Sequence, residues 1–422
     1  MISRTRWLLR QLTRQLWFRA TIFAAVGFVA AMAGVIAERY MGWEPPTRIA
    51  TDTVERILDI LASSMLAVTT FSLNVMVTAY GSATSNVTPR ATKLLRQDST
   101  TQNALGAFIG AFLFSLVGII ALGTGLYGDR GRLVLFAVTL AVVAFVITAM
   151  LRWIDHLSGL GRVGETARIV EETTRAALLD RAAAPTLGAR ACDPAYMTSS
   201  DHEPVTTRRI GYVQHVDLER LSAIAEDAGC AIHIEKPPGS FVFANDALAR
   251  VHMDRGPAPD AETLGRMASA FVIEDQRSFD QDPRFGLSVL AEIASRALSP
   301  AVNDAGTAID VVGRATRLLL EYANTRPEDD DVRFPRLRLA PLVAGDLLSD
   351  AFGPIARDGA AIIEVQLRLQ KALGALARSG DGEMRAAALR EARFALDHAE
   401  IALALDSDKQ KLRDLNASIA AI

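Results

Sequence analysis

Four apolar runs occupy residues 17–37, 57–80, 104–127 and 133–151. Each is close to the ~20 residues that a helix needs to cross a ~30 Å hydrocarbon layer. Burial inside a soluble protein accounts for one such run more readily than for four in succession. A cleaved signal sequence is a poor reading of the first. Its leader holds Arg4, Arg6, Arg10, Arg14 and Arg19, and its apolar run exceeds the usual ~7–15 residues. Three more runs follow it, so it reads as an uncleaved first span.

The average composition then makes sense as two unlike parts. Half of the 422 residues are hydrophobic and 22% are charged, and the mean hydropathy is +0.20. A membrane part, residues 1–154, precedes an ordinary soluble part. The net charge of −3 supplies no basic field, so nucleic acid is not an expected partner. The two cysteines, Cys192 and Cys230, have no CxxC spacing and support neither a disulfide framework nor a zinc site. No metal or cofactor is expected.

Basic residues flanking the spans set the orientation. Five arginines lead into span one. Arg90, Lys93 and Arg96 separate spans two and three, and Arg152, Arg162 and Arg168 follow span four. In the loop between spans one and two, Arg39, Arg48 and Arg56 are offset by Glu38, Glu44, Asp52 and Glu55, and the last loop holds only Arg130 and Arg132. The bias puts both termini in the cytoplasm and the chain in the bacterial inner membrane. The expected partners are the lipid bilayer and further copies of the chain.

Span two is the polar one. Ser63, Thr70, Asn74 and Thr78 step by seven, four and four, which places them on one helical face. An Asn in hydrocarbon needs a partner. Either this face glues helices together or it lines a pore. No span carries a charge at mid-depth, which argues against a proton relay. Gly106 with Gly110, and Ala30 with Gly34, mark close helix contacts.

Beyond the spans, residues 155–204 read as a juxtamembrane helix followed by a Pro- and Ser-rich linker from 185. Residues 205–255 read as a small β-α-β-β module, with Asp217 as a helix N-cap and Gly229 at the helix end. Its histidines, His215 and His233, read as ordinary strand residues. Residues 256–422 read as a helical cytoplasmic domain. Its expected helices cover 261–274, 286–298, 303–322, 340–348, 353–377 and 383–405, and SGDG turns the last two into a hairpin.

The candidate cytoplasmic site lies in RSFDQDPRFGLSVLAEIASRALSPAVNDAGTAID. Arg277, Asp280, Asp282, Ser299, Asn303 and Asp304 fall at helix ends or in tight turns around one helix. The plain reading is structural: Ser299-Pro300 stops the helix, and Asn303 or Asp304 caps the next. The other readings are an inter-subunit contact, an anion held at a helix N-terminus beside Arg277, or a cation among the aspartates.

Several stretches resemble a bacterial family of membrane proteins catalogued as domain of unknown function twenty-two fifty-four. They are Pro89-Arg90 after span two, residues 102–106 entering span three, GYVQ, PPGSFV, and above all QDPRFGLSVLAEIASRALSPAVND. The resemblance covers nearly the whole chain. In the family pattern a proline often follows the last Asp, whereas here Ala305 and Gly306 do, which loosens that helix start. The resemblance implies an architecture and a location but no chemistry. The residues show no GxSxG, HExxH, P-loop or GxGxxG motif, so an enzyme is not expected. The expected function is an oligomeric, channel-like protein gated by its cytoplasmic domain. The alternative is a membrane-anchored sensor or interaction module that takes an ion or a cytoplasmic partner.

Overall fold

A computed structural model describes residues 13, 15–40, 50–96, 98–192, 202–325 and 332–421. Arg4, Arg6, Arg10, Arg14, Glu44, Arg48 and the middle of the 185–204 linker lie outside these described residues. The chain divides into two compact units. One comprises Leu8–Ser85 and Pro89–Thr166, and the other is built mainly from Ala167–Ile422.

The first unit holds helices α1 (Leu16–Tyr40), α2 (Thr51–Asn86), α3 (Pro89–Arg96), α4 (Ser99–Gly123) and α5 (Asp129–Gly159). By length and composition, α1, α2, α4 and α5 can each cross a membrane. The 36-residue α2 reaches well past the apolar run that announces it.

Glycines let α1 approach its neighbours. A Cβ on Gly27 would sit 2.3 Å from the Gly110 carbonyl oxygen, and one on Gly106 would sit 2.6 Å from the Phe23 ring. A Cβ on Gly34 would sit 2.5 Å from the Tyr127 ring. The expected small-residue contacts therefore form inside this unit. Hydrogen bonds reinforce them. The Tyr127 hydroxyl donates to the Ala31 carbonyl at 2.5 Å, and the Glu38 carboxylate accepts from the Gly131 amide in the first turn of α5 at 2.8 Å.

Asp98 caps α4 by accepting from the amides of Thr100 and Thr101. His156 Nε2 lies 2.8 Å from the same carboxylate. Burial pushes the Asp98 carboxyl up, but its hydrogen bonds to His156 and Thr101 outweigh that and hold it at about 2.

The second unit contains most of α6 (Val163–Ala183) and two sheets. Their strands are β1 (Ala189–Ala191), β2 (Glu203–Thr206), β3 (Gly211–Val216), β4 (Cys230–Ile234), β5 (Phe241–Val242), β6 (Ala247–Met253), β7 (Phe271–Glu274) and β8 (Phe334–Leu339). The five-stranded sheet has the order β1-β8-β4-β6-β2 and the three-stranded sheet the order β5-β3-β7. The β8 strand pairs parallel with β1 and β4, and the other pairings are antiparallel. Asp217 and Gly229 bound α7 (Leu218–Ala228) as the sequence implies, and Gly229 adopts the left-handed conformation.

A self-contained β-α-β-β sheet is not what forms. The strands of the 205–255 stretch are shared between two sheets, which draw β1 and β2 from the linker side and β7 and β8 from the helical side. Val205, Val213, Leu221, Ile232, Ile273 and Leu337 lie in one buried cluster, which is the apolar surface that this sharing buries.

The remaining helices are α8 (Ala261–Ala268), α9 (Pro283–Ala297), α10 (Ala305–Asn324), α11 (Ala344–Asp358), α12 (Ile363–Ser379), α13 (Gly382–Ala402) and α14 (Asp406–Ala420). Three expected boundaries change. Residues 261–274 split into a helix and β7, because FVIE pairs with β3. The 353–377 helix breaks at Gly359, whose chain packs so closely that a Cβ would sit 2.8 Å from Val365. A further helix, α14, follows the hairpin. The SGDG turn joins α12 to α13, and Asp381 caps the latter. Leu369, Leu373 and Leu376 of α12 are fully buried, so this helix belongs to the unit's core.

Candidate functional site

The α9 helix is where the candidate residues meet, and it separates them into two groups. Its 15 residues are about 22 Å long at the usual helical rise. Arg277, Asp280 and Asp282 gather at its start, while Ser299, Asn303 and Asp304 follow its end. The aspartates around this helix therefore do not converge on one point. Among the described residues, no group of three or more His, Cys, Asp or Glu side chains is placed to hold a metal ion.

The end of α9 is a turn with a definite job. Asn303 takes a left-handed φ of 51°, a conformation that Asn tolerates better than most residues. Its amide donates to the Ser299 carbonyl at 2.8 Å, and the next amide, from Asp304, donates to the Ala297 carbonyl at 2.7 Å. Asp304 is the cap: it accepts from the Thr307 amide and hydroxyl at 3.0 and 2.6 Å. These bonds draw its carboxyl below the usual range. Ser299 donates to the Arg296 carbonyl. The helix-stop-and-cap reading accounts for all three residues.

The start of α9 is denser. Asp282 is buried and caps the helix by accepting from the Phe285 amide at 3.1 Å. Arg277 grips it with two hydrogen bonds of 2.7 and 2.9 Å and lies over the Phe285 ring. Burial pushes the Asp282 carboxyl up, against the pull of Arg277. Asp280 closes a local turn with the Ser278 hydroxyl.

The weaker motifs of the sequence arrive at the same place. In PPGSFV, Gly239 has φ +96°, and a Cβ there would sit 2.5 Å from the Asp282 carboxylate, so only glycine fits. Its amide donates to the carbonyl of Val213, within GYVQ, at 2.8 Å. Gln214 of the same motif donates to the Gln276 carbonyl, next to Arg277, at 2.5 Å. In PRFG, Arg284 bonds Asp346 and Asp350 of α11, each at 2.6 Å. A Cβ on Gly286 would collide with Thr174 of α6.

Together these segments enclose a cavity of about 320 Å³. Its charged lining residues are Arg181, Arg277, Asp282, Arg284, Asp346 and Asp350. Sequence reasoning missed Arg181, Arg284, Asp346 and Asp350. The signal for Arg181 was present. Ala167, Val170, Thr174, Ala177, Leu178 and Arg181 form the buried stripe of α6, so an arginine occupies an apolar position.

His215 and His233 lie in different sheets, and His233 Nδ1 is 3.2 Å from the sulfur of Cys192.

A family described as "Predicted membrane protein (DUF2254)" matches residues 13–375. The chain belongs to that family. Of the stretches that carried the resemblance, GYVQ, PPGSFV and QDPRFG converge at the start of α9, whereas Pro89-Arg90 and residues 102–106 belong to the membrane unit. The chain is also similar to uncharacterised proteins of Mycobacterium bovis and Mycobacterium tuberculosis. Each is 25% identical over 362 residues, covering 82% of this chain and 66% of the relative. The match therefore spans just under two thirds of those longer proteins. No solved structure matches the chain.

Proposed function

We propose that this member of the family is the subunit of an oligomeric, channel-like protein of the bacterial inner membrane. Both termini and the second unit face the cytoplasm, and that unit gates the path. The reading gives the chain a role in passage rather than in catalysis.

The observation that carries it is the exposure of Ser63, Thr70, Asn74 and Thr78 in the membrane unit. They are not consumed as glue within the chain. Ser72 takes that part, accepting from the Trp153 indole at 3.0 Å. The exposed hydroxyls are satisfied by their own helix. Ser63, Thr70 and Thr78 donate to the carbonyls of Asp59, Leu66 and Asn74 at 2.9–3.0 Å. Such back-bonding suits lipid or protein equally. The Asn74 amide differs, for it makes no hydrogen bond among the described residues. In hydrocarbon that is costly, so a neighbouring copy or a water-filled path should cover it.

Ion flux through liposomes holding the purified chain tests the reading. Asn74→Leu should alter the flux and leave the particle mass unchanged. No flux above protein-free liposomes for the parent, or identical flux for the variant, would sink it.

A further inference from the structure

Charged side chains on the core face of a helix are rare unless they are paired. Two occur on α6, and they differ. Glu171 is buried and answered by Arg314 and Arg317 at 2.7 and 2.8 Å. Arg181 is 4% exposed, and among the described residues no carboxylate lies within ion-pair distance of it. It makes one long hydrogen bond, 3.4 Å, to the Ala340 carbonyl, and its Nε has no partner. This guanidinium lines the 320 Å³ cavity at the start of α9.

The other two arginines of the wall are engaged. Arg277 is held by Asp282, and Arg284 by Asp346 and Asp350. The Asp282 carboxylate also acts on Arg181 through space, but both of its oxygens are taken by Arg277. A desolvated positive charge with one long hydrogen bond and no carboxylate at ion-pair distance is an unfinished interaction.

We propose that this cavity binds a small soluble molecule through an oxyanion, phosphate or carboxylate, that meets Arg181. A planar guanidinium presents two parallel donors that match such a group. The volume is at the lower end of the range for small-molecule sites. Asp346 and Asp350 line the same cavity, held by Arg284, and their carboxylates disfavour a ligand with much negative charge. The ligand therefore carries its charge on a single phosphate or carboxylate group and is not a polyanion. This inference does not depend on the pore reading.

The test uses the full chain in detergent at neutral pH. Equilibrium dialysis is run with inorganic phosphate, acetate and glycerol 3-phosphate, each against sodium chloride at matched ionic strength. The parent should bind at least one of these saturably, at one per chain, with a matching rise in melting temperature. Arg181→Met should weaken that binding on the order of 10- to 100-fold, the usual worth of a hydrogen bond to a charged group. Should Arg181→Met fail to fold, Leu342→Trp at the cavity wall replaces it and should block binding while leaving the arginine in place. No saturable binding to the parent, or unchanged binding in the variant used, overturns the proposal.

Discussion

Arg181→Met, measured without added oxyanion, should make the protein more stable. Burial draws the Arg181 guanidinium well down from its ordinary value, to about 10, against the weaker favourable pull of Tyr322 and Asp282. The unfolded chain then holds that proton more tightly than the folded one. At any pH below about 10 folding therefore bears a penalty, which fades as pH rises above 10 toward the ordinary guanidinium value. At roughly 1.4 kcal/mol per pKa unit the penalty is about 3 kcal/mol. Methionine keeps the apolar stem and removes the charge. It forfeits the long bond to Ala340, worth about 0.5–1 kcal/mol. The net gain is on the order of 1–3 kcal/mol. At roughly 2–4 °C per kcal/mol for a unit of this size, the melting temperature should rise by several degrees. Thermal unfolding of the full chain, followed by circular dichroism in a chloride buffer, reads this directly. A melting temperature equal to or below the parent's would refute the reasoning and make Arg181 an ordinary structural donor.

Two further outcomes follow from packing and titration. Gly286→Ala puts a methyl group 2.0 Å from the Thr174 hydroxyl, so it should cost about 1–3 kcal/mol by overpacking, with Thr174→Gly restoring part of the loss. Denaturant titration of the single and double variants measures both. Asp98 has a depressed carboxyl, so its contribution is complete above pH ~4 and disappears as pH falls toward 2. The stability gap between parent and Asp98→Asn should be roughly 2 kcal/mol at pH 6 and should narrow below pH 4. A gap that does not change with pH would show that the charge is not what matters.

The spans were legible because a membrane helix carries its whole signal in its own residues: length, apolarity and the flanking charges. The Gly106–Gly110 contact and the Asp217 and Gly229 helix ends were legible for the same local reason. The sheets were not. Phe334–Leu339 alternates only loosely, and its partner, Cys230–Ile234, lies about a hundred residues away. Phe271–Glu274 is short and follows directly on an amphipathic helix, so its apolar residues extended the helical pattern. The candidate site was half legible. Ser299-Pro300 read as a helix stop and Asn303 or Asp304 as a cap, and the structure holds both, whereas the tight glycines Gly239 and Gly286 carried no signal of their own. The convergence of the motifs depended on Gly239 meeting Asp282 and on Arg284 reaching α11, which no spacing encodes. Asn303 was read as one of two possible caps, and its left-handed backbone shows that it forms the turn while Asp304 caps.

The central claim is that α2 presents its polar face to other copies of the chain. Native mass spectrometry of the protein released from lipid nanodiscs tests it most directly. A closed assembly, with a mass that is an integral multiple of the 45.5 kDa chain, is the predicted result. A monomer that persists across lipid compositions would contradict it.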